Sequence, residues 1–238
     1  MKKEKKFSVR VLAEIAIFAA IALALDMLQG GIFRGVFLSG GSIGFAMVPI
    51  FIIAYRRGFL ASLLCGFIVS LTQMLAGIYV INGATFDNPF MQAMGPFLQV
   101  MLDYVLAYTF VGFAGIFYKA FKNGEVTKKK VLFVILGTVI AGLLKYACHV
   151  VAGGLFWLGD GLDGFWGVPN NTWLYSFVYN GAYSIPNIII CTSVMVVITV
   201  YYPQLLDANY KKEIVNEETN DNVEEVKVES EDKVNEKC

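Results

Sequence analysis

The sequence predicts an all-α integral membrane protein, a bundle of six transmembrane helices with its N- and C-termini in the cytoplasm. Three observations predict it. The 238 residues are 57% hydrophobic and only 16% charged, against about 45–50% and ~25% in a soluble domain, and the mean hydropathy is +0.61. The apolar residues gather into runs close to the roughly 20 residues that cross a ~30 Å hydrocarbon core. Lys and Arg fall on alternate loops, as the bias towards positively charged cytoplasmic loops requires.

The first run, 9–29, follows a basic start as a signal peptide would. It is about twenty residues long and more runs follow, so it is read as a retained helix. The second, 43–55, is short and contains Pro49, so it is expected to be partly irregular or to extend back towards Val36. The third, fourth and fifth are 59–81, 97–118 and 131–157. The sixth, 182–202, carries Pro186 near its expected start, where a helix tolerates proline best. With the N-terminus inside, the inner segments hold Lys2, Lys3, Lys5, Lys6 and Arg10, then Arg56 and Arg57, then Lys119, Lys122, Lys128, Lys129 and Lys130, then Lys211 and Lys212. The outer loops hold Arg34 alone. Fourteen against one also supports an even number of spans.

Two regions follow. Residues 1–206 form the membrane domain. Residues 207–238 hold eleven of the 19 acidic residues and too little apolar surface to offset ordering, so a disordered cytoplasmic tail is expected.

The composition excludes several functions. There is no GxxxxGK[ST] loop, hence no ATPase in this chain, and neither GxSxG nor HExxH occurs. Cys65, Cys148, Cys191 and Cys238 stand apart and His149 is the only histidine, so no four-ligand zinc set is available. No enzyme, metal, bound cofactor or nucleic-acid partner is expected; lipid is.

The outer loops 30–42, 82–96 and 158–180 are rich in glycine, aromatics and amides, while the inner loops are short and basic. That asymmetry points to a solute met on the outer face. Below it lie ionisable groups at membrane depth. Lys145 is about twelve residues, or ~18 Å, from the outer end of the fifth run, and Asp103 about six residues, or ~9 Å, into the fourth. A charge near the bilayer centre costs at least ~2.5–3.5 kcal/mol and normally faces the protein interior or a cavity. Asp103 and Lys145 are the natural opposite-sign pair. One reading is a structural ion pair with a core histidine. The other is a ligand cavity, favoured by Tyr104, Tyr108, Tyr146, Gly153, Trp157, Tyr175, Tyr179 and Asn180 at or above that depth. A few polar groups in an aromatic wall suit a small, planar, positively charged heterocycle, with Gly153 allowing its ring near the helix backbone. On the first run, Ala16, Ala20 and Ala24 recur every four residues, a stripe that permits close helix packing, within the bundle or against a second membrane protein.

Three blocks carry a family resemblance. The first is K-x3-H-x3-G-x3-W, here Lys145, His149, Gly153 and Trp157, followed by Tyr175 and Asn180. The others are "LDYVLAYTFVGFAGIFYK" and "GGSIGFAMVPIFIIAYRRG". Together and in order, over about residues 8–203, they resemble the thiamine-binding S components of energy-coupling factor (ECF) transporters, the ThiT family. The resemblance implies a bacterial cell-membrane protein that binds thiamine near the extracellular side under the first outer loop, with the first-helix stripe of Ala16 and Ala20 against a transmembrane coupling subunit carrying two ATPases. It implies that His149 and Trp157 stack on the ligand, that Asp103 meets its cationic or aminopyrimidine part, and that Tyr104, Tyr175 and Asn180 supply hydrogen bonds. Lys145 would hold the carboxylate. Two features depart from relatives: Asp103 is one methylene shorter than the glutamate some carry, and the first loop offers Phe33 and Phe37 in place of a tryptophan. Rival expectations are another vitamin or a thiamine precursor as cargo, or a stand-alone ion-coupled carrier using Asp103, Lys145 and His149 as a proton relay.

Overall fold

The computed structural model describes residues 8–33, 36–37, 40–122, 126–157 and 171–208. The N-terminal lysines, Arg34, the 158–170 stretch with Trp166, and all but the first two residues of the acidic tail lie outside the described residues. Among the described residues every regular element is helical.

Six helices follow in order. Helix α1 is Val9–Ile32, capped by the Ser8 hydroxyl, which accepts the Val11 N–H at 3.3 Å. Helix α2 is Val48–Arg57 and α3 is Phe59–Ala76. Helix α4, Pro89–Phe121, is composite: α-helical over Pro89–Val100, a π segment over Met101–Leu106, α again over Ala107–Val111, then 3₁₀ over Gly112–Phe121. Helix α5 is Lys128–Phe156 and α6 is Thr172–Tyr201. Helices α1, α4, α5 and α6 are long and apolar enough to cross a membrane, and α3 is a shorter apolar helix. Helix α2, with ten residues, rises only ~15 Å.

Helix α2 is the centre of the bundle. Every residue from Val48 to Tyr55 is buried, and a helix apolar on most sides has no polar face to offer solvent. Pro49 sits in its first turn, where the missing N–H has no partner to lose, so the helix starts there rather than extending back towards Val36. Gly58 then turns the chain straight into α3 at φ +89, a conformation a side chain resists; a Cβ there would also lie 2.9 Å from the Tyr118 ring.

Helices α3 and α4 approach closely. A Cβ at Gly112 would stand 2.6 Å from the Leu63 backbone nitrogen, and the Ser62 hydroxyl donates to the Gly112 carbonyl at 2.7 Å. Below the bundle, Glu14 of α1 accepts from Arg56 at 3.0 Å and from Arg57 at 2.5 Å. Arg56 also donates to the carbonyls of Gln204, Leu205 and Asp207, pinning the chain beyond α6 to the α2 end.

Three boundaries differ from expectation. Helix α3 stops at Ala76 rather than residue 81. Helix α4 begins at Pro89 rather than residue 97, capped by the Asn88 side chain, which accepts from Phe90 N at 2.8 Å. Helix α6 begins at Thr172 rather than 182, capped by Asn171. Residues 172–181 read as part of a loop that mixes glycine, aromatics and polar amides, yet Ser176, Tyr179 and Asn180, with Tyr183, Ser184 and Asn187 beyond them, are buried while Trp173, Leu174 and Phe177 are exposed. The turn is an inverted amphipath, polar side inward. Pro186 consequently lies in the helix interior, not near its start.

Candidate functional site

The π segment of α4 carries Asp103 and Tyr104; such segments widen a helix locally and concentrate at functional sites. The Asp103 carboxylate accepts three bonds. Gln99, one turn earlier and fully buried, donates Nε2 to Oδ2 at 3.0 Å. The Trp157 indole N–H, from the end of α5, donates to Oδ2 at 3.2 Å. His149 Nδ1 lies 3.4 Å from Oδ1, each side chain being 14% exposed. On its other side His149 Nε2 lies 3.1 Å from Lys145 Nζ. An ammonium only donates, so Nε2 accepts, Nδ1 carries the ring proton, and it is Nδ1–H that faces Asp103. His149 is therefore a neutral relay between ammonium and carboxylate.

This arrangement corrects the expected ion pair. Among the described residues no Lys or Arg nitrogen lies within 4.0 Å of Asp103. Lys145 instead sits over the Tyr108 ring, 4.7 Å from its centroid. The Tyr108 hydroxyl donates to Asp26 Oδ1 of α1 at 2.6 Å, and Gln73 of α3 donates to Asp26 Oδ2 at 2.5 Å. Lys145 thus faces His149 one way and, through Tyr108, Asp26 the other.

Two non-helical segments close over these groups. Residues 77–81 form a strap across α4. Tyr79 N–H donates to the Tyr104 hydroxyl at 3.0 Å, Gln99 Nε2 donates to Tyr79 O at 3.2 Å, and Ile81 N–H donates to Gln99 Oε1 at 3.4 Å. The strap lays the Tyr79 ring on Trp157, centroids 4.9 Å apart and planes at 26°. The second segment, 40–46, lies between α1 and α6. Gly44 N–H donates to Asn187 Oδ1 at 2.6 Å and Asn187 Nδ2 to Ser42 O at 2.7 Å. From the α1 side Gln29 donates to the Ser42 hydroxyl at 2.8 Å and accepts from Ala46 N at 3.2 Å.

The expected site residues separate into a core and a border. Asp103, His149, Trp157 and Lys145 form one connected network, with Tyr104 beneath the strap. Asn180 joins it indirectly: its amide donates to the His149 carbonyl at 3.3 Å and accepts from the Tyr183 hydroxyl at 2.5 Å, while the Tyr183 ring meets His149 edge-on at 6.1 Å. Tyr175 stacks on Tyr179 at 5.5 Å, in an aromatic layer with Phe37 that reaches the network through Tyr183. Gly153 serves a different purpose from the expected approach of a ligand ring. A Cβ there would collide with the Ser176 hydroxyl and lie 3.2 Å from Asn180 Nδ2, so the glycine lets α5 and α6 touch. Of the stripe on α1, Ala16, Ala20 and Ala24 are exposed while Ile15, Ala19 and Ala22 are buried; the stripe faces out of the bundle. Gln99, Tyr79, Asp26 and Gln73 were not anticipated.

Chemically, the core presents a carboxylate held by neutral donors, with stacked aromatic faces beside it. A carboxylate so held accepts further cationic or N–H partners without first breaking an ion pair. Among the described residues no group of three His, Cys, Asp or Glu side chains could hold a metal ion.

Comparison with known proteins bears on this geometry. Residues 12–207 match the family described as "Thiamine transporter protein (Thia_YuaJ)". The chain is 34% identical over 204 residues, 83% of it and 94% of the relative, to "Thiamine transporter ThiT" of Bacillus subtilis (strain 168). It is 28% identical over 201 residues, 83% of it and 90% of the relative, to the protein of that name from Lacticaseibacillus paracasei. A solved structure of ThiT from Listeria monocytogenes superposes with a TM-score of 0.58 at 28% identity, covering 84% of this chain and 98% of that one.

Proposed function

Because the chain belongs to the thiamine transporter protein family, we propose that it is the thiamine-capturing S component of an ECF-type importer, a multi-pass protein of the bacterial cell membrane. It binds the vitamin from outside and delivers it when partner subunits hydrolyse ATP; it catalyses no reaction and holds no cofactor of its own. The reading includes six spans with both termini cytoplasmic, α2 and α3 crossing as a tightly turned pair about Gly58.

The observation that carries the proposal is the Asp103 carboxylate fixed by Gln99, Trp157 and His149 beside the Tyr79–Trp157 stack. Thiamine joins a fixed-charge thiazolium to an aminopyrimidine, two flat rings with a cation and N–H donors. Aromatic faces attract such rings for ~0.5–2 kcal/mol each when desolvated. Asp103 would take the cationic or aminopyrimidine portion, with Trp157 and His149 lining the rings. Tyr104, Tyr175 and Asn180 would border them, and Lys145 would hold His149 in its donor tautomer. The exposed Ala16 and Ala20 fit a close-packed helix of the coupling subunit, which carries the two ATPases.

The test is thiamine titration of purified protein, read by tryptophan fluorescence. Saturable quenching is expected, greatly reduced in Trp157→Phe, which leaves the other two of the three tryptophans in place. Quenching that fails to saturate, or equal affinity in His149→Ala, would refute the reading.

A further inference from the structure

The thiamine-capture reading accounts for Asp103, His149 and Trp157 but leaves a second, part-buried acid without a role. Asp26 lies six residues before the end of α1 and is ringed by donors. The Tyr108 hydroxyl is at 2.6 Å, Gln73 Nε2 at 2.5 Å and Gln29 Nε2 at 3.4 Å. Three donors on one carboxyl describe an ionised acceptor. Its cationic neighbour is Lys145, whose ammonium rests on the Tyr108 ring at 4.7 Å. A phenol donating its proton to a carboxylate has a more electron-rich ring, which strengthens its hold on the ammonium above it. Tyr108 therefore bridges Lys145 and Asp26.

The charge count around the site follows. Asp26 and Asp103 contribute two negative charges and Lys145 one positive. His149, accepting from Lys145 and donating to Asp103, contributes none. The net charge is minus one. Were Asp26 absent, Lys145 and Asp103 would cancel, and a bound cation would leave a positive charge buried without compensation.

We propose that Asp26 is the counter-ion of Lys145, bridged to it by Tyr108, and is thereby a specificity residue that leaves Asp103 free for one unit of positive charge on the ligand. The specificity half rests on the thiamine-capture reading; the pairing half does not. Asp26 touches no ligand and acts through Lys145. It selects a monocation over a neutral molecule of the same shape.

The experiment compares wild type, Asp26→Asn, Lys145→Gln and the double variant, each full-length in detergent. Two probes are used: thiamine and its neutral thiophene isostere. A unit charge about 10 Å from a ligand charge at an effective dielectric near 20 changes binding by about tenfold. Asp26→Asn is expected to weaken thiamine about tenfold and the isostere less than about threefold, and the double variant to restore the wild-type ratio. Equal loss for both probes, or an unchanged ratio, would overturn the specificity role. Thermal melting of the four ligand-free chains tests the pairing independently. The double variant is expected to melt above the sum of the two single losses, since neither charge is then stranded; strict additivity would overturn the pairing. Should wild type bind neither probe, the capture reading fails and the ligand-free cycle alone decides whether Asp26 and Lys145 are paired.

Discussion

Replacing Gln99 with leucine tests whether the site is pre-organised or merely assembled from nearby groups. The side chain is fully buried and makes three bonds: to Asp103 Oδ2 at 3.0 Å, to Tyr79 O at 3.2 Å and from Ile81 N at 3.4 Å. Leucine keeps the volume and removes all three. The Tyr79 carbonyl belongs to an exposed stretch and can turn to water at little cost. Ile81 is buried, so its N–H is left unsatisfied for about 1–3 kcal/mol, and the bond to an ionised acceptor is worth about 1.5–3 kcal/mol. Extra apolar burial returns roughly 1 kcal/mol, leaving a net loss of about 1.5–5 kcal/mol in stability. With the strap released and Asp103 free to rotate, about 1.4 kcal/mol of that is expected in binding, a tenfold rise in Kd for thiamine. Tryptophan quenching measures Kd, and detergent-solubilised melting measures stability. Gln99→Glu sharpens the test: it keeps an acceptor for Ile81 N–H but turns an oxygen towards Asp103, so its affinity should fall below that of Gln99→Leu. A Gln99→Leu protein that melts like wild type and binds within twofold of it would refute the claim that this amide orders the site.

Other expectations follow from single contacts. Gly153→Ala drives a methyl group into the Ser176 hydroxyl, which donates to the Val150 carbonyl at 2.8 Å. Overpacking should cost about 1–3 kcal/mol in stability, read as a lower melting temperature before any effect on ligand. Ala16→Trp with Ala20→Trp should leave thiamine binding within twofold of wild type while abolishing copurification with the coupling subunit, because both residues are exposed on α1; retained copurification would move the interface elsewhere. Asn187→Leu strands Gly44 N–H and Ser42 O and should speed thiamine release about tenfold in stopped-flow fluorescence, with a smaller effect on association.

The helical class, the existence of the alanine stripe though not the side it faces, and the grouping of Asp103, His149, Lys145 and Trp157 were legible in the sequence, because charges and single tryptophans stand out in apolar runs and helical spacing places 145, 149, 153 and 157 in a row. What misled was polarity used inward. Residues 172–181 look like a loop only if polar side chains face water, whereas Ser176, Asn180 and Asn187 are buried and hydrogen-bond to protein groups. The Asp103–Lys145 pair failed for a different reason: sequence shows opposite charges on adjacent helices but not the imidazole between them. Asp26 could not be matched to Tyr108, 82 residues away, by any local pattern. Gln99 might have been found, since it stands one helical turn before Asp103, but an amide carries no charge to draw notice.

The amides explain how irregular backbone is kept inside a membrane domain. Backbone that leaves a helix needs both a donor and an acceptor, and where water is shut out the protein must supply them. A carboxylate or an ammonium satisfies only one kind of group and brings a charge that needs its own partner. A side-chain amide provides both in a neutral group of fixed geometry. Gln99 does so for Tyr79 and Ile81 and Asn187 for Ser42 and Gly44, while Gln29 accepts from Ala46 N–H and donates to the Ser42 hydroxyl. Each of the two non-helical segments over the site is thus held without spending an ionisable residue on it. The charged groups at this level, Asp26, Asp103 and Lys145, are left to set the electrostatic character of the site. That division predicts distinct failures: loss of an amide should alter how fast the ligand leaves, and loss of a charge should alter which ligand is held.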